Sequence, residues 1–330
     1  MNAFVTGGSG FLGRNLIPAL VQSGFSVQAL ARSDAAARAV VLSGARAVRG
    51  DLDDPASLSA GIAGCEVVFH AAARVEQWGT KEQFMRANVG GTERVLEAAR
   101  AAGVSRVVHV STEAVLLGGP PIVRANETWP YPAHPVGLYA LTKGLAEARV
   151  IAENGRGLET VVVRPRLIWG RGDTSILPDL IDACRKGRFR WIGGGRHLTS
   201  TCHIQNVCEG MILAAQRGRP GEIYFLTDGA PVEFRTFVAR MLASAGADPG
   251  SGTLPFGVAL SVATLCEGVW RLFRLRGMPP VTRMAVGLAG QEVTVDDTKA
   301  RRDLGYLGRM TLEQGLSEME AAGRSTHQIG

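Results

Sequence analysis

The stretch TGGSGFLG at residues 6–13 decides the fold. It follows a short apolar run, and a helical pattern begins where it ends. In such a loop Gly7 permits a tight turn, Gly10 lets the backbone approach a pyrophosphate, and Gly13 lets helix and strand pack closely. The free N–H groups and partial positive charge of a helix N-terminus favour phosphate groups. The stretch therefore predicts a dinucleotide site.

Short apolar runs alternate with helical patterns over the first 165 residues. This alternation predicts an α/β fold, a doubly wound parallel Rossmann sheet with helices on both faces. The predicted strands are Ala3–Thr6, Val27–Ala31, Ala45–Val48, Glu66–His70, Arg106–Ser111 and Thr160–Arg164.

Glycine and proline turns separate shorter elements in the second half of the chain. We expect residues 1–170 to form a dinucleotide-binding domain and residues 171–330 to form mainly a smaller α/β substrate-binding domain. The two are partly interleaved, with a segment near 205–228 returning to the sheet. The predicted helices are two long ones at 82–102 and 137–154, and shorter ones at Ser175–Arg185, Asn206–Gln216, Phe234–Ala245 and Phe256–Leu275.

The charge distribution excludes several classes of partner. The chain carries 36 basic and 30 acidic residues, a net charge of +6, without a block of five or more lysines and arginines. Scattered charge of this kind lacks the basic patch that nucleic-acid binding needs. The chain also shows no His, Cys, Asp or Glu cluster with metal-ligand spacing. We therefore expect a small-molecule substrate, with no nucleic acid and no metal.

Five cysteines without a CxxC pair predict free thiols in a reducing compartment, which favours a cytoplasmic location. The longest apolar segment, Phe256–Phe273, is interrupted by Glu267 and Arg271 and falls short of a clean membrane span. Arg274 and Arg276 follow it. The segment could wall an apolar pocket, lie peripherally on a membrane surface, or form a buried helix of the second domain.

The end of the second predicted strand bears on the choice of nicotinamide cofactor. An acidic residue there would bind the ribose hydroxyls of NAD, whereas Arg32 can pair with the 2′-phosphate of NADP. We therefore favour NADP over NAD. Asp51 and Leu52 follow the third strand, beside the expected adenine. Small residues after the fourth strand would let a dinucleotide lie flat against the backbone; they are Ala71, Ala72 and Ala73.

Tyr139 and Lys143 are four residues apart on a predicted helix, so their side chains share one face. A lysine ammonium near a phenol favours the phenolate and poises the tyrosine for acid–base work. Ser111 and Thr112 end a buried-type strand, and parallel sheets bind ligands at such ends. Thr112 would there hydrogen-bond the substrate oxygen that Tyr139 protonates or deprotonates.

These motifs occur in the order typical of extended short-chain dehydrogenases/reductases, which the first 170 residues resemble. The resemblance implies that Tyr139 is the general acid/base, that Lys143 binds the nicotinamide ribose and lowers the tyrosine pKa, and that Thr112 orients the substrate. It also implies that Asn88 supports the active-site helix or a water, and that the protein dimerises through its two long helices. The expected cofactor-binding residues are Gly7, Gly10, Phe11, Leu12, Arg32, Asp51, Leu52, Ala71, Ala72, Ala73, Asn88, Ser111, Tyr139, Lys143, Pro165, Leu167 and Ile168.

Three later stretches resemble the 3β-hydroxysteroid dehydrogenase group, which includes sterol-4α-carboxylate 3-dehydrogenases and 2-alkyl-3-oxoalkanoate reductases. They are RPRLIWGRGD at 164–173, GGGRHL at 193–198 with HIQNV at 203–207, and GEIYFLTD at 221–228. This resemblance implies hydride transfer at a carbonyl or hydroxyl carbon of an apolar substrate, of the 3-keto steroid or 3-oxo acid type. The expected substrate residues are Thr112, Glu113 and Arg166, with Arg166 a candidate partner for a carboxylate.

Two alternatives stay open at this level. A nucleotide-sugar epimerase or dehydratase has the same scaffold, but it usually carries an acidic residue after the second strand. Dehydratases also need an Asp-Glu pair beside the catalytic hydroxyl, where this chain has only Glu113. A dinucleotide sensor without turnover is the third option, although such relatives typically lose the tyrosine or the lysine.

Overall fold

The computed structural model describes residues 1–327. Its strands are β1 Asn2–Thr6, β2 Ser26–Ala31, β3 Arg46–Arg49, β4 Val67–His70, β5 Arg106–Val110, β6 Ile122–Ala125, β7 Glu159–Pro165, β8 Ile168–Trp169, β9 Trp191–Ile192, β10 Leu198–Thr199, β11 Cys202–His203, β12 Ile223–Leu226, β13 Val232–Glu233, β14 Thr253–Leu254 and β15 Val293–Val295. Its α-helices are α1 Phe11–Gln22, α2 Asp34–Leu42, α3 Pro55–Ile62, α4 Lys81–Phe84, α5 Gly91–Ala101, α6 Gly137–Glu153, α7 Leu177–Arg185, α8 Ile204–Arg217, α9 Phe234–Ser244, α10 Phe256–Leu272, α11 Arg283–Ala289, α12 Thr298–Leu304 and α13 Leu312–His327.

The main sheet has the order β12-β7-β5-β4-β1-β2-β3, and every pairing in it is parallel. This confirms the doubly wound Rossmann sheet, and all six predicted strands lie in it. The seventh strand, β12, comes from the segment near 205–228 and joins the outer edge beside β7. From β1 the chain adds β2 and β3 on one side of the sheet, and it then adds β4, β5 and β7 on the other side. Such folds bind dinucleotides at the point between β1 and β4 where the strand order reverses.

Apolar clusters cover both faces of this sheet. One face packs against α1 and α8, with Val5, Phe69 and Val163 in the cluster. The other packs against α3 and α5, with Phe4 and Val107 in the cluster. Successive strand residues point to opposite faces, so Phe4 and Val5 of β1 enter different cores. Burial on both faces fixes the carboxyl ends of the strands at one edge.

The long helix predicted at 82–102 is present, because helical residues run without a break from Lys81 to Ala101. The structure adds a π-helical turn at Met85–Gly90, between α4 and α5, which the sequence did not predict. The apolar periodicity did not reveal this turn because it adds only a local i→i+5 pairing to an otherwise continuous helix. The second long helix is present as α6, one residue shorter than predicted.

A second sheet ties the two halves of the chain together. It has the order β13-β10-β15-β6, and β6 lies in the segment between Thr112 and Tyr139. β6 and β15 run parallel, with Ile122 opposite Val293. The loop that borders the predicted catalytic residues is therefore anchored to a strand near the C-terminus.

The apolar segment after residue 255 forms α10, which buries only one stripe of its surface. Ala259, Ala263 and Glu267 are its buried residues, spaced four apart. Leu265 and Leu272 on the remaining surface are 69% and 76% exposed. Within the described residues, no helix has the length and apolar character needed to cross a bilayer.

Candidate active site

The glycine loop has the geometry that a pyrophosphate requires. A Cβ at Gly13 would lie 2.2 Å from the carbonyl oxygen of Gly7, so only glycine lets α1 approach the loop this closely. Gly7 has φ = 75°, and a Cβ there would lie 2.9 Å from the Ala72 backbone nitrogen. α1 begins at Phe11 without a side-chain cap, so its first N–H groups are available to an anion. The residues present fit a dinucleotide.

Ala71 and Ala72 lie against this loop. Thr6 Oγ1 accepts the Ala72 N–H at 3.2 Å and contacts His70 Nδ1 at 2.7 Å. Asn88, in the π-helical turn, closes the end of the same segment because its side chain bonds both backbone groups of Arg74. The Asn88 amide also donates to Thr142 of α6 at 3.0 Å. Asn88 thus connects the expected cofactor wall to the active-site helix.

Arg32 and Asp51 lie at the ends of β2 and β3, where the adenosine half of a dinucleotide is expected. Their side chains are 80% and 44% exposed, and the shortest nitrogen–oxygen distance between them is 3.9 Å. Such an open pair leaves the Arg32 guanidinium accessible to a phosphate. Leu52 is partly buried, and its carbonyl accepts a hydrogen bond from Arg94 of α5.

Thr112 and Tyr139 meet where β5 ends and α6 begins. Burial and, after it, the Glu113 carboxylate raise the pKa of Tyr139. The neighbouring Thr112 hydroxyl lowers that pKa, but by less than the two other influences raise it. The net direction is opposite to the lowering that the family resemblance implies, because both larger influences disfavour the phenolate. Tyr139 is thereby kept protonated, as a general acid must be.

Lys143 is buried below the tyrosine. Its ammonium donates to the Val110 carbonyl at 2.6 Å and lies 3.3 Å from His109 Nε2. Burial lowers the pKa of Lys143 to about 8, partly offset by Glu147 on the next turn of α6. His109 is fully buried, which holds its pKa well below the usual range, so its imidazole is neutral. His109 is a partner of Lys143 that sequence reasoning missed, because it appeared only as part of an apolar strand.

Glu113 and Arg166 form a buried ion pair beside the catalytic hydroxyls. Arg166 donates to Glu113 Oε1 at 2.8 Å, to Thr199 Oγ1 at 3.1 Å and to the Leu288 carbonyl at 3.2 Å. The charge of Arg166 is therefore neutralised within the protein, whereas the sequence suggested a substrate carboxylate as its partner. Contact of either residue with a substrate stays a prediction.

The segment after β7 contains the remaining predicted cofactor residues, Pro165, Leu167 and Ile168. Leu167 has φ = 44°, in the left-handed region that a bulky side chain rarely adopts. Such strain often marks a binding site. Across the edge, Ser111 Oγ is buried and has no hydrogen-bond partner among the described residues. It is thus a buried polar group without a partner at the end of β5, where the nicotinamide is predicted.

The predicted residues follow the carboxyl ends of six neighbouring strands, so the fold brings them to one edge of the sheet. The described residues contain no group of three or more His, Cys, Asp or Glu that could hold a metal. The arrangement combines a phosphate loop, a proton-donating tyrosine and a buried lysine. It can hold a nicotinamide dinucleotide and protonate an oxygen beside it.

Comparison with known proteins decides the family. Residues 4–256 match the 3-beta hydroxysteroid dehydrogenase/isomerase family. The chain belongs to this family. Its NAD(P)-dependent oxidoreductase activity and its short-chain dehydrogenase/reductase type follow from that membership and from the reductases and dehydrogenases among its relatives.

Two relatives are similar along nearly their whole length. The chain is 54% identical to the 4-hydroxy-2-methyl-3-oxo-4-farnesyl-3,4-dihydroquinoline-1-oxide ketoreductase of Stigmatella aurantiaca, over 98% of this chain and 97% of that protein. It is 38% identical to the 2-alkyl-3-oxoalkanoate reductase of Stenotrophomonas maltophilia, over 98% and 99%.

Among solved structures, gox2253 superimposes with a TM-score of 0.78 and 28% identity, over 98% of both chains. MoeE5 in complex with UDP-glucose and NAD superimposes with a TM-score of 0.75 and 26% identity, over 99% of this chain and 100% of that one. The epimerase or dehydratase alternative has weaker support than the reductases.

Proposed function

We propose that this enzyme reduces a ketone on a substrate that carries a long apolar group, using NADPH. The observation that carries the proposal is the position of Tyr139, which lies beside the Thr112 hydroxyl at the edge of the sheet that presents the phosphate loop. The ketoreductase relative from Stigmatella supports the substrate class, since its named substrate combines a 3-oxo group, a neighbouring 4-hydroxyl and a farnesyl chain. Steroidal ketones and 3-oxo acids are further members of the proposed class.

The chain's own residues position the substrate and move the proton. The nicotinamide, when bound, supplies the hydride to the carbonyl carbon. Tyr139 donates its phenolic proton to the carbonyl oxygen, which becomes the hydroxyl of the product. Lys143 is held in place by its contacts with the Val110 carbonyl and His109. Its positive charge stabilises the phenolate that Tyr139 becomes after proton transfer. The pairing of Glu113 with Arg166 keeps that wall of the site rigid.

The test is oxidation of NADPH, followed by absorbance at 340 nm with purified protein. The panel contains a farnesyl- or alkyl-substituted quinolone ketone, a 2-alkyl-3-oxo acid, a 3-keto steroid and a nucleotide sugar. We expect turnover of at least one apolar ketone, and loss of turnover in Tyr139→Phe. Isomerisation of the sugar with no net oxidation of NADPH would instead establish the epimerase alternative.

Preference for NADPH over NADH is part of the proposal, and Arg32 supports it. Its guanidinium is exposed at the end of β2, with only the distant Asp51 as a counter-charge. A planar guanidinium matches a phosphate through two parallel hydrogen bonds. We expect a lower KM for NADPH than for NADH with the same ketone; equal values would contradict the preference.

A homodimer is also proposed, with α6 in the interface. Leu141, Leu145, Ala148 and Ala152 are spaced four, three and four apart and so form an apolar stripe on this helix. Leu145 is 40% exposed. Sedimentation velocity should show a dimer that Leu145→Arg dissociates, whereas Leu42→Arg, on the exposed end of α2, should leave it intact. A monomeric wild-type protein would contradict the dimer.

We further propose that α10 contacts an anionic membrane surface, from which an apolar substrate can enter. Leu265, Leu272 and Phe273 are exposed there. Glu267, the single acidic residue between positions 248 and 292, is buried and bonded to Arg283. The exposed charges along the helix end are thus basic, which complements anionic lipid.

A small pocket lies between α10 and the active-site helix α6. It is lined by Trp78, Leu138, Glu267, Arg271 and Met284, and it borders the first turn of α6, one residue before Tyr139. The test is cosedimentation with phosphatidylcholine vesicles with and without phosphatidylglycerol. We expect binding that depends on anionic lipid and is lost in Leu272→Asp but kept in the matched variant Leu42→Asp. Self-association through α10 without vesicle binding would contradict the proposal.

We also propose that the enzyme is located in the reducing cytoplasm, because its cysteines do not form disulfide bonds. All five cysteines are free, and three of them are buried. Fractionation of the producing cells, with the enzyme recovered active without oxidative refolding, tests this location.

A further inference from the structure

Thr112 has no hydrogen left to give to a carbonyl oxygen. Its hydroxyl donates to Glu113 Oε2 at 2.9 Å and accepts the Ala114 backbone N–H at 3.2 Å. A hydroxyl has one donor position and two acceptor positions. One acceptor position therefore remains on Thr112.

The direction of this hydroxyl is fixed by the buried ion pair behind it. Glu113 Oε1 accepts from Arg166 at 2.8 Å, and both side chains are at most 4% exposed. A carboxylate only accepts hydrogen bonds and a guanidinium only donates them. Reversal of the Thr112 hydroxyl would leave a buried carboxylate oxygen without its donor, which is costly. The network thus holds Thr112 as an acceptor.

We propose that Glu113 is a specificity-determining positioning residue, which keeps Thr112 an acceptor and so selects ketones with a hydroxyl on the carbon beside the carbonyl. The inference rests on the proposed function and deepens it. Tyr139 donates to the carbonyl oxygen, and the neighbouring hydroxyl of the substrate donates to Thr112. A ketone without that hydroxyl leaves the buried Thr112 acceptor unpaired, and enzymes discriminate strongly on this basis.

The test compares two substrates that differ by one hydroxyl, 2-hydroxy-1-tetralone and 1-tetralone, with NADPH. We expect wild-type kcat/KM to favour the hydroxyketone by about tenfold or more. In Glu113→Gln the amide can donate to Thr112 and free its hydrogen for the carbonyl. The preference should then fall to near unity.

Three controls separate specificity from structure. Thr112→Val leaves the Glu113–Arg166 pair intact and should also abolish the preference, whereas Thr112→Ser should keep it. Asp297→Asn disturbs another ion pair, between the largely buried Asp297 and the half-buried Arg301, and should leave the preference unchanged. Equal rates on both ketones in the wild type, or an unchanged preference in Glu113→Gln, would overturn the inference while the reductase function stands. If no ketone of the full panel is reduced, the proposed function itself fails.

Discussion

Two buried arginine–glutamate pairs begin two residues apart on the same segment, yet they serve different parts of the molecule. Arg164 of β7 bonds Glu147 of α6, and Tyr131 completes that cluster. Arg166, just beyond β7, bonds Glu113 beside the catalytic hydroxyls. Burial and charge are nearly the same in both pairs. The two carboxylates differ in their third partner, which is Tyr131 for Glu147 and Thr112 for Glu113.

The pair of Glu147 and Arg164 fixes α6 against β7, and Lys143 lies on the same helix. Glu147 lies one turn after Lys143 on the helix and partly offsets the effect of burial on the lysine pKa. The Arg164 guanidinium also lies 5.4 Å from the Phe225 ring of β12. This pair thus joins α6 to the sheet, whereas the Glu113 pair orients a single hydroxyl.

Removal of the phenol hydroxyl should have the largest effect and should separate the two pairs. Tyr139→Phe deletes the general acid, so we expect kcat for ketone reduction to fall about 10⁴-fold. In the Tyr139→Phe background, Glu113→Gln should change the residual rate little, because the proton donor it neighbours is gone. Steady-state kinetics of both single variants and the double variant form the measurement. Full additivity of the two effects would show that Glu113 acts elsewhere.

Loss of the Glu147 charge should mainly affect stability. Glu147→Gln leaves the buried Arg164 without its counter-charge, which we expect to cost about 3–5 kcal/mol in the free energy of unfolding. Urea unfolding measures this change. The preference between the two tetralones should stay at the wild-type value, in contrast to Glu113→Gln. A loss below about 1 kcal/mol, within the range of exposed pairs, would show that the Glu147 pair is not a structural tie.

The buried lysine predicts a pH dependence of stability. The pKa of Lys143 is about 8 in the fold, against a model-peptide value of 10.5. Between these values the unfolded chain binds more protons, so its contribution to stability rises with pH. We expect the difference between wild type and Lys143→Met to shift by roughly 2 kcal/mol in favour of wild type from pH 7 to pH 9.5. Urea unfolding at both pH values tests it, and a constant difference would contradict the lowered pKa.

The exposed pair of Arg32 and Asp51 can be compared with the two buried pairs, and its loss should change stability least. Arg32→Asp breaks a pair separated by 3.9 Å, so the unfolding free energy should change by less than about 0.5 kcal/mol. Cofactor choice should change instead, with NADPH weakened about tenfold more than NADH. Binding titrations of both cofactors measure this ratio, and equal weakening of the two would remove the argument for Arg32.

The sequence predicted the parts of the site that are local in the chain. The glycine loop and the Tyr139–Lys143 spacing are motifs of a few residues, and their chemistry can be read directly. The partner of Glu113 lies 53 residues away, so only the fold could show that Arg166 serves a carboxylate of the protein. The His109 contact with Lys143 and the π-helical turn around Asn88 also lack a local signal, because apolar patterns do not distinguish them from ordinary strand and helix.

The pairing of β6 with β15 has a consequence for the order in which the protein matures on the ribosome. Residues 1–110 supply the phosphate loop and five strands of the main sheet early in synthesis. The segment that follows Thr112 must wait for Val293–Val295, almost the whole remaining chain, before its strand finds a neighbour. Since domains form from the N-terminus during translation, the part that carries the phosphate loop is assembled first. The strand β6, which follows Thr112, is paired only when the nascent chain is nearly complete.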